Sequence, residues 1–212
     1  LLAAAVLLAG LLRSCEPALW PTRSTLVARA ATAELLGDSA VLCGPYAPVL
    51  CQGTGRTRRL GYRLRTDTTP EGEDLLPAGL TWAREAGITH IALSVAQERS
   101  AQLVHHCARL GVALEVVALL HVGGPPDHDL RRRRVRGARV LLLRFPWAQT
   151  QGYTLSAAEA GALPRSPAAL LARAAGLCAR GDAGLAWRWL QACPPQLRGE
   201  LQATLRRTER SF

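Results

Sequence analysis

The residues best suited to chemistry lie between positions 121 and 136. His121, Asp127, His128 and Asp129 fall close together, and imidazole with carboxylate suits a divalent metal. No third histidine stands in register with them. The segment therefore reads as a solvated turn, and no metal site is assigned. Just beyond it, Arg131, Arg132, Arg133, Arg134 and Arg136 form the densest charge in the chain. A partner for this run would be anionic, a lipid headgroup or a phosphate, each arginine contributing about 1 kcal/mol near an anionic surface. Without such a partner the run is the solvated tip of a hairpin.

Other candidates fail on spacing. His105 and His106 are adjacent, and neighbours on a helix point about 100° apart, so the two cannot share one ion. Gly53-Thr54-Gly55-Arg56 lacks the Lys-Ser/Thr of a phosphate loop and the third glycine of a dinucleotide fingerprint. It reads as a tight turn between a helix and a strand. No Gly-x-Ser-x-Gly elbow occurs. No serine or cysteine stands in a pattern with histidine and carboxylate that makes a triad, and no carboxylate pair suggests glycoside hydrolysis. The sequence thus assigns no catalytic residue and no cofactor. Its cysteines, Cys15, Cys43, Cys51, Cys107, Cys178 and Cys193, contain no CxxC pair and no zinc-finger spacing. Most read as small core residues. Cys43 and Cys51 are near enough to pair in an exported protein, but sequence alone does not pair them.

The elements that must position these residues follow from a chain of 212 residues, 49 % hydrophobic and 20 % charged, long enough for one real core. Net charge is +10, and all 26 basic residues are arginine. Lysine, asparagine and methionine are missing, and phenylalanine occurs twice. Those residues have AT-rich codons, so a GC-rich genome accounts for the arginines without a polyanion partner. Aromatic residues are only 5 %, and none interrupts the arginine run, so nucleic acid is not expected as a partner.

Leu1 to Leu12 is an unbroken apolar run. As a helix it reaches about 18 Å, against ~30 Å of hydrocarbon in a bilayer. It reads as the last turns of a transmembrane helix, with Arg13 at the interface and Trp20 near the headgroups. The alternative is a buried helix of the soluble body.

Periodicity predicts a helix over 22–36, a strand over 40–43, a helical turn over 49–52 and a strand over 58–64. A helix over 75–85, a strand over 88–95 and a helix over 98–110 follow. Strands over 112–121 and 138–144 complete the pattern. Helices alternating with apolar strands predict an α/β fold: a small three-layer, mainly parallel sheet with flanking helices. The last two strands lack a helix between them and should pair antiparallel. The expected organisation is a membrane stub over 1–20, the α/β domain over 22–148, a linker over 149–165 and a helical hairpin over 166–212. Leu170-Leu171-Ala172, Ala175, Leu177, Gly181-Asp182, Ala186 and Leu190 make that hairpin resemble one tetratricopeptide unit.

One segment carries a further resemblance: Ala40-Val41-Leu42-Cys43-Gly44-Pro45-Tyr46-Ala47-Pro48-Val49-Leu50, with Thr54-Gly55 after it. It is similar to the stretch after the last membrane helix of bacterial polytopic glycosyltransferases that use polyprenyl-phosphate sugars, of the protein O-mannosyltransferase and aminoarabinose transferase type. Ile88-Thr89-His90-Ile91-Ala92-Leu93 resembles a second strand there. The resemblance covers about residues 1–95. It implies a non-catalytic C-terminal soluble domain of such an enzyme. That domain would lie on the extracytoplasmic side of a bacterial inner membrane, with the upstream membrane helices of the same protein as its partner. The family's catalytic carboxylates lie near the N-terminus of the full enzyme, and nothing in these residues matches them. Two other readings stand beside it: a soluble α/β binding or protein-interaction module, and a basic nucleic-acid-associated protein.

Overall fold

The computed structural model describes residues 23–55, 57–58, 63–68, 70–95, 98–123 and 138–191, with positions 195, 198, 199, 202, 203 and 206. The Leu1–Leu12 run and the arginines at 131–136 lie outside the described residues. Among the described residues no helix is long and apolar enough to cross a membrane.

The chain is α/β. Helix α1 spans Arg23–Leu35, strand β1 Val41–Cys43, the short helix α2 Ala47–Cys51 and β2 Thr57–Arg58. Then come α3 Leu76–Glu85, β3 His90–Ser94, α4 Glu98–Arg109, β4 Glu115–Val122 and β5 Ala138–Arg144. A 3₁₀ turn at Gln149–Gln151 leads to α5 Pro167–Ala179 and α6 Ala183–Gln191. Gly87 and Gly111, at φ +68° and +75°, stop α3 and α4 in the left-handed conformation that glycine adopts without strain.

The strands form one sheet in the order β2-β1-β3-β5-β4. β1 runs parallel to β2 and β3, while β5 runs antiparallel to both β3 and β4. The sheet is therefore mixed, not mainly parallel. The cause is β5, which pairs antiparallel with β4 and, on its other side, with β3. Helix α4 carries the chain past the position that β5 later fills, leaving β4 at the edge.

Alternation along each strand divides the side chains between two faces. Leu42, Ala92, Val140 and Leu142 pack with α1, α2 and α5. Cys43, Ile91, Leu93 and Leu143 pack with α3 and α4. Helix α5 also belongs to a third cluster, in which Leu119 of β4 meets Ala174, Leu177, Ala186 and Leu190. It therefore wraps the open edge of the sheet as well as joining α6 in a hairpin. Ser166 caps α5 by accepting from the Ala169 N–H at 3.2 Å, and Pro167 begins it. The Glu34 carboxylate of α1 accepts from the backbone N–H groups of Arg165 and Ser166, which fixes the start of α5 to the first helix. Composition suggests a linker over 149–165. In the structure this segment carries Tyr153 and Glu159, both buried, into the body.

Gly176 permits the closest approach in this packing. A Cβ there would lie 2.7 Å from Ala118 Cα on β4. Gly184, on α6, meets nothing within 4 Å. Alanine is ordinarily the better helix residue by about 0.5–1 kcal/mol. The two sites should therefore respond with opposite signs. Gly176→Ala is expected to destabilise by about 1–3 kcal/mol, because backbone must move. Gly184→Ala should leave stability unchanged or raise it by a few tenths. Urea unfolding of both variants checks this; stabilisation by Gly176→Ala would contradict the close contact of α5 with β4.

Candidate functional site

The strongest concentration of polar chemistry lies at the end of the sheet where β3 begins. Strand register places His90 of β3 opposite Arg144 of β5, and Arg144 opposite Glu115 of β4. Three titratable groups thus stand in one row across three strands. Two further groups reach the row from the segment after β5. Glu159 lies with Oε1 3.3 Å from His90 Nε2 and 3.2 Å from Arg144 Nη1. The Tyr153 hydroxyl donates to the other carboxylate oxygen, Oε2, and accepts from the Gly37 N–H at 2.9 Å. Ser156 completes the shell. Its N–H donates to Glu159 Oε2 at 3.2 Å, its Oγ accepts from the Glu159 N–H at 3.1 Å, and its hydroxyl donates to Leu35 O at 2.6 Å.

The ionised Glu159 carboxylate can only accept, so His90 Nε2 carries the hydrogen and donates to it. Thr89 Oγ1 accepts from the Val41 N–H at 2.8 Å, and its own proton has two acceptors in reach, His90 Nδ1 at 2.8 Å and the Val41 carbonyl at 3.2 Å. In the neutral imidazole Nδ1 takes that proton as acceptor. The histidine is neutral and the glutamate ionised. Burial holds the His90 imidazole below its ordinary value despite the adjacent Glu159. Burial works against the Glu159 charge, but the hydrogen bonds from His90, Tyr153 and Ser156 outweigh it and keep the carboxyl below 4.5. Burial, followed by Glu159, pushes the Tyr153 phenol well above its usual range.

From Glu159 the charges alternate outward. Arg144 bonds both Glu159 and Glu115; Arg180, at the end of α5, reaches Glu115 at 3.3 Å; and Arg180 Nε donates to Asp182 at 2.6 Å. Next to this ladder β4 carries a bulge between Val116 and Ala118. Arg173 of α5, itself buried, donates to the carbonyls of Val117 at 2.6 Å and Val116 at 3.3 Å. The guanidinium thereby satisfies backbone that the bulge leaves without a strand partner.

A histidine paired with a carboxylate is a common catalytic device, but this one is closed. The His90 and Glu159 side chains are 0 % and 1 % exposed. Both imidazole nitrogens are committed, one to Thr89 and one to Glu159, so neither is free to take a proton from a substrate. The arrangement does structural work: it binds the segment around Tyr153 and Glu159 to the sheet.

The residues singled out in the sequence lie elsewhere. His105 and His106 sit on α4 with ring centroids 6.0 Å apart. His121 lies on β4, while Asp127, His128 and Asp129 fall outside the described residues, as do Arg131, Arg132, Arg133, Arg134 and Arg136. The strands flanking that arginine run are paired to their ends, Val122 opposite Ala138. Among the described residues no group of three or more His, Cys, Asp or Glu is placed to hold a metal. Gly53 and Gly55, both at positive φ, form the turn between α2 and β2. Burial raises the thiols of Cys43 to about 12 and Cys107 to about 11, which suits core packing and not nucleophilic chemistry. Sequence reasoning missed the buried network. His90 was visible only within an apolar strand, and Glu159 and Tyr153 only as scattered polar residues in a linker-like stretch. Comparison with protein-family models, curated proteins and solved structures finds no match.

Two outcomes test the network. Glu159→Gln removes the ion that Arg144 and His90 face and should destabilise by about 3 kcal/mol in urea unfolding, breaking a buried charge pair from one side. His90 is depressed below its unfolded value of 6.5, so the unfolded chain binds more protons as the solution is acidified. Its stabilisation is complete above pH 6.5 and is lost as pH falls toward the folded value. His121 is depressed in the same direction by burial and Arg139. The melting temperature should therefore decline below about pH 6.5, less steeply in His90→Gln, with His121→Gln as the control. A decline of equal slope in wild type and His90→Gln would contradict the neutral, buried His90.

Proposed function

We propose that this chain is the non-catalytic C-terminal soluble domain of a bacterial inner-membrane glycosyltransferase that transfers sugar from a polyprenyl-phosphate donor. In this reading residues 1–20 end a transmembrane helix and the body lies on the extracytoplasmic side. The upstream membrane helices of the same protein are its partner.

One observation carries the proposal. The two segments that bear the family resemblance are separated by a long stretch of chain, yet they lie side by side as β1 and β3, with Leu42 opposite His90 and Cys43 opposite Ile91. The Gly-Pro-Tyr-Ala-Pro turn after β1 depends on that neighbour. Gly44 has φ +103°, and a Cβ there would stand 2.5 Å from the Ala92 carbonyl. The resembling residues thus form one physical unit. Helix α1, which precedes the resembling strand β1, spans Arg23–Leu35, shortly after the apolar run.

Vesicle flotation tests the reading. The full chain should float with phosphatidylethanolamine–phosphatidylglycerol vesicles. A chain lacking residues 1–20 should stay in the aqueous layer and melt within about 3 °C of the full chain. A large loss of stability on deletion, or flotation that survives it, would overturn the membrane assignment of this segment.

A further inference from the structure

Thr89 stands where a change of protonation at His90 would be felt first. It is buried just before β3, and three groups meet its hydroxyl oxygen. The Val41 N–H donates to it at 2.8 Å, His90 Nδ1 lies 2.8 Å away and the Val41 carbonyl 3.2 Å away. A hydroxyl has one proton to give and two lone pairs with which to accept. One lone pair is taken by the Val41 N–H. One proton and one lone pair remain, and they face a ring nitrogen and a carbonyl oxygen. That carbonyl accepts from the Thr89 N–H at 3.0 Å and keeps a second lone pair of its own.

These neighbours allow two complete arrangements. With a neutral imidazole the hydroxyl proton goes to Nδ1. With an imidazolium, Nδ1 carries a hydrogen and donates to Thr89 Oγ1, while the hydroxyl proton swings to the Val41 carbonyl. Only a hydroxyl hydrogen changes place. The Nε2–H bond to Glu159 persists in both states and joins opposite charges in the second. We propose that Thr89 is a two-position proton switch that lets the closed His90–Glu159 pair take up one proton from solvent without coming apart. Closed to a substrate, the site is still reached by protons in brief local openings.

Among the described residues, the ionisable groups near the ring come from three places. Glu159 and Tyr153 belong to the segment after β5, the Tyr153 ring standing edge-on to the imidazole with centroids 4.9 Å apart. Arg144 comes from β5, and Glu115 lies beyond it on β4. On α1, Arg29 bonds Val49 O and Gln52, and Glu34 bonds the start of α5. Arg173 of α5 is given to the carbonyls of the bulge. Glu159 and Glu115 favour the imidazolium, while burial and Arg144 oppose it, so uptake in the folded chain comes at lower pH than in the unfolded one. Once the folded chain holds the same proton, the stability lost through His90 stops growing. The inference uses β1, β3 and the returning segment, so it stands or falls apart from the membrane reading of residues 1–20.

The experiment is a pH titration of the full chain with ¹⁵N in the histidine rings and ¹³C in the carbonyls, His90 being assigned through His90→Gln. In wild type, Nδ1 of His90 should change from a bare to a hydrogen-bearing nitrogen while the β1 and β3 amides keep their folded positions. The Val41 carbonyl carbon should shift in step with it, because the hydroxyl proton moves there. Thr89→Val keeps the branched shape and removes the hydroxyl. It should weaken proton binding by folded His90 about tenfold or more, through loss of a charge-assisted bond. Thr89→Ser keeps the hydroxyl and should restore the wild-type midpoint. A threonine that only braced β1 through the Val41 N–H would cost Thr89→Val the same stability at every pH and leave that midpoint in place, which overturns the proposal. If Thr89→Val does not fold, wild type still decides. A His90 that stays unprotonated until the sheet unfolds, or one that titrates while the Val41 carbonyl stays still, overturns the switch.

Discussion

The Glu159 carboxylate is the group on which the arrangement of the chain depends. A buried ion is costly unless its oxygens are fully bonded. Its partners come from near and far in the sequence: Tyr153 and Ser156 nearby, Arg144 from the end of β5, and His90 from the start of β3. To satisfy one carboxylate, the segment after β5 must fold back along the sheet. The same partners reach further. The Tyr153 hydroxyl accepts from the Gly37 N–H just after α1, and Ser156 donates to Leu35 O at the end of that helix. Loop, first helix and sheet are thereby fixed at one point, and α5 starts from the position that this sets.

Charge continues what the carboxylate begins. Arg144 stands between Glu159 and Glu115, and Arg180 between Glu115 and Asp182. The inner members are desolvated and the outer ones half-exposed, so the inner contacts contribute most and the outer ones are weakened by solvent. The value of the outer pairs is positional: they tie the α5–α6 turn to the start of β4. Arg173 acts on the same strand by a different route, bonding carbonyls at the bulge. An edge strand with free carbonyls invites pairing with another chain, and the bulge with its arginine closes this part of β4.

What was legible in the sequence is what repeats. Alternation gave β3 and β5 to within a few residues: a strand expected over 138–144 is β5, Ala138–Arg144, and one expected over 88–95 is β3, His90–Ser94, whereas of the strand expected over 58–64 the structure describes Thr57–Arg58 as β2 and places Arg63 and Leu64 outside any strand. Glycines in the left-handed conformation end α3 and α4 where the pattern stops. The antiparallel pairing of β4 and β5 followed from the lack of a helical pattern in the sequence between them. The placement of β5 beside β3 did not, because strand order is decided by packing between distant segments. The polar network was illegible for the same reason. His90, Arg144 and Glu115 become neighbours through register, and no spacing in the chain announces a register. Helix α5 was legible as half of a helical hairpin, but its contact was not: Gly176 lets the helix press against the backbone of β4, a meeting of distant segments that no local pattern marks.

The two polar and apolar features of this molecule divide its capacities. The His90–Glu159 pair has the composition of an acid–base site, yet every donor and acceptor in it is spent on holding segments together, and water is shut out. Chemistry on a substrate needs a group with a free valence facing an opening. An apolar groove between α1, β4 and α5 has the opposite character: it is open and nearly all hydrocarbon. The physical contrast follows from where each lies. At the end of the sheet that holds His90, the returning loop seals the surface with a satisfied ion. Toward the other end of β4, the small residues of α1 and α5 leave a gap that the chain's own described side chains do not fill.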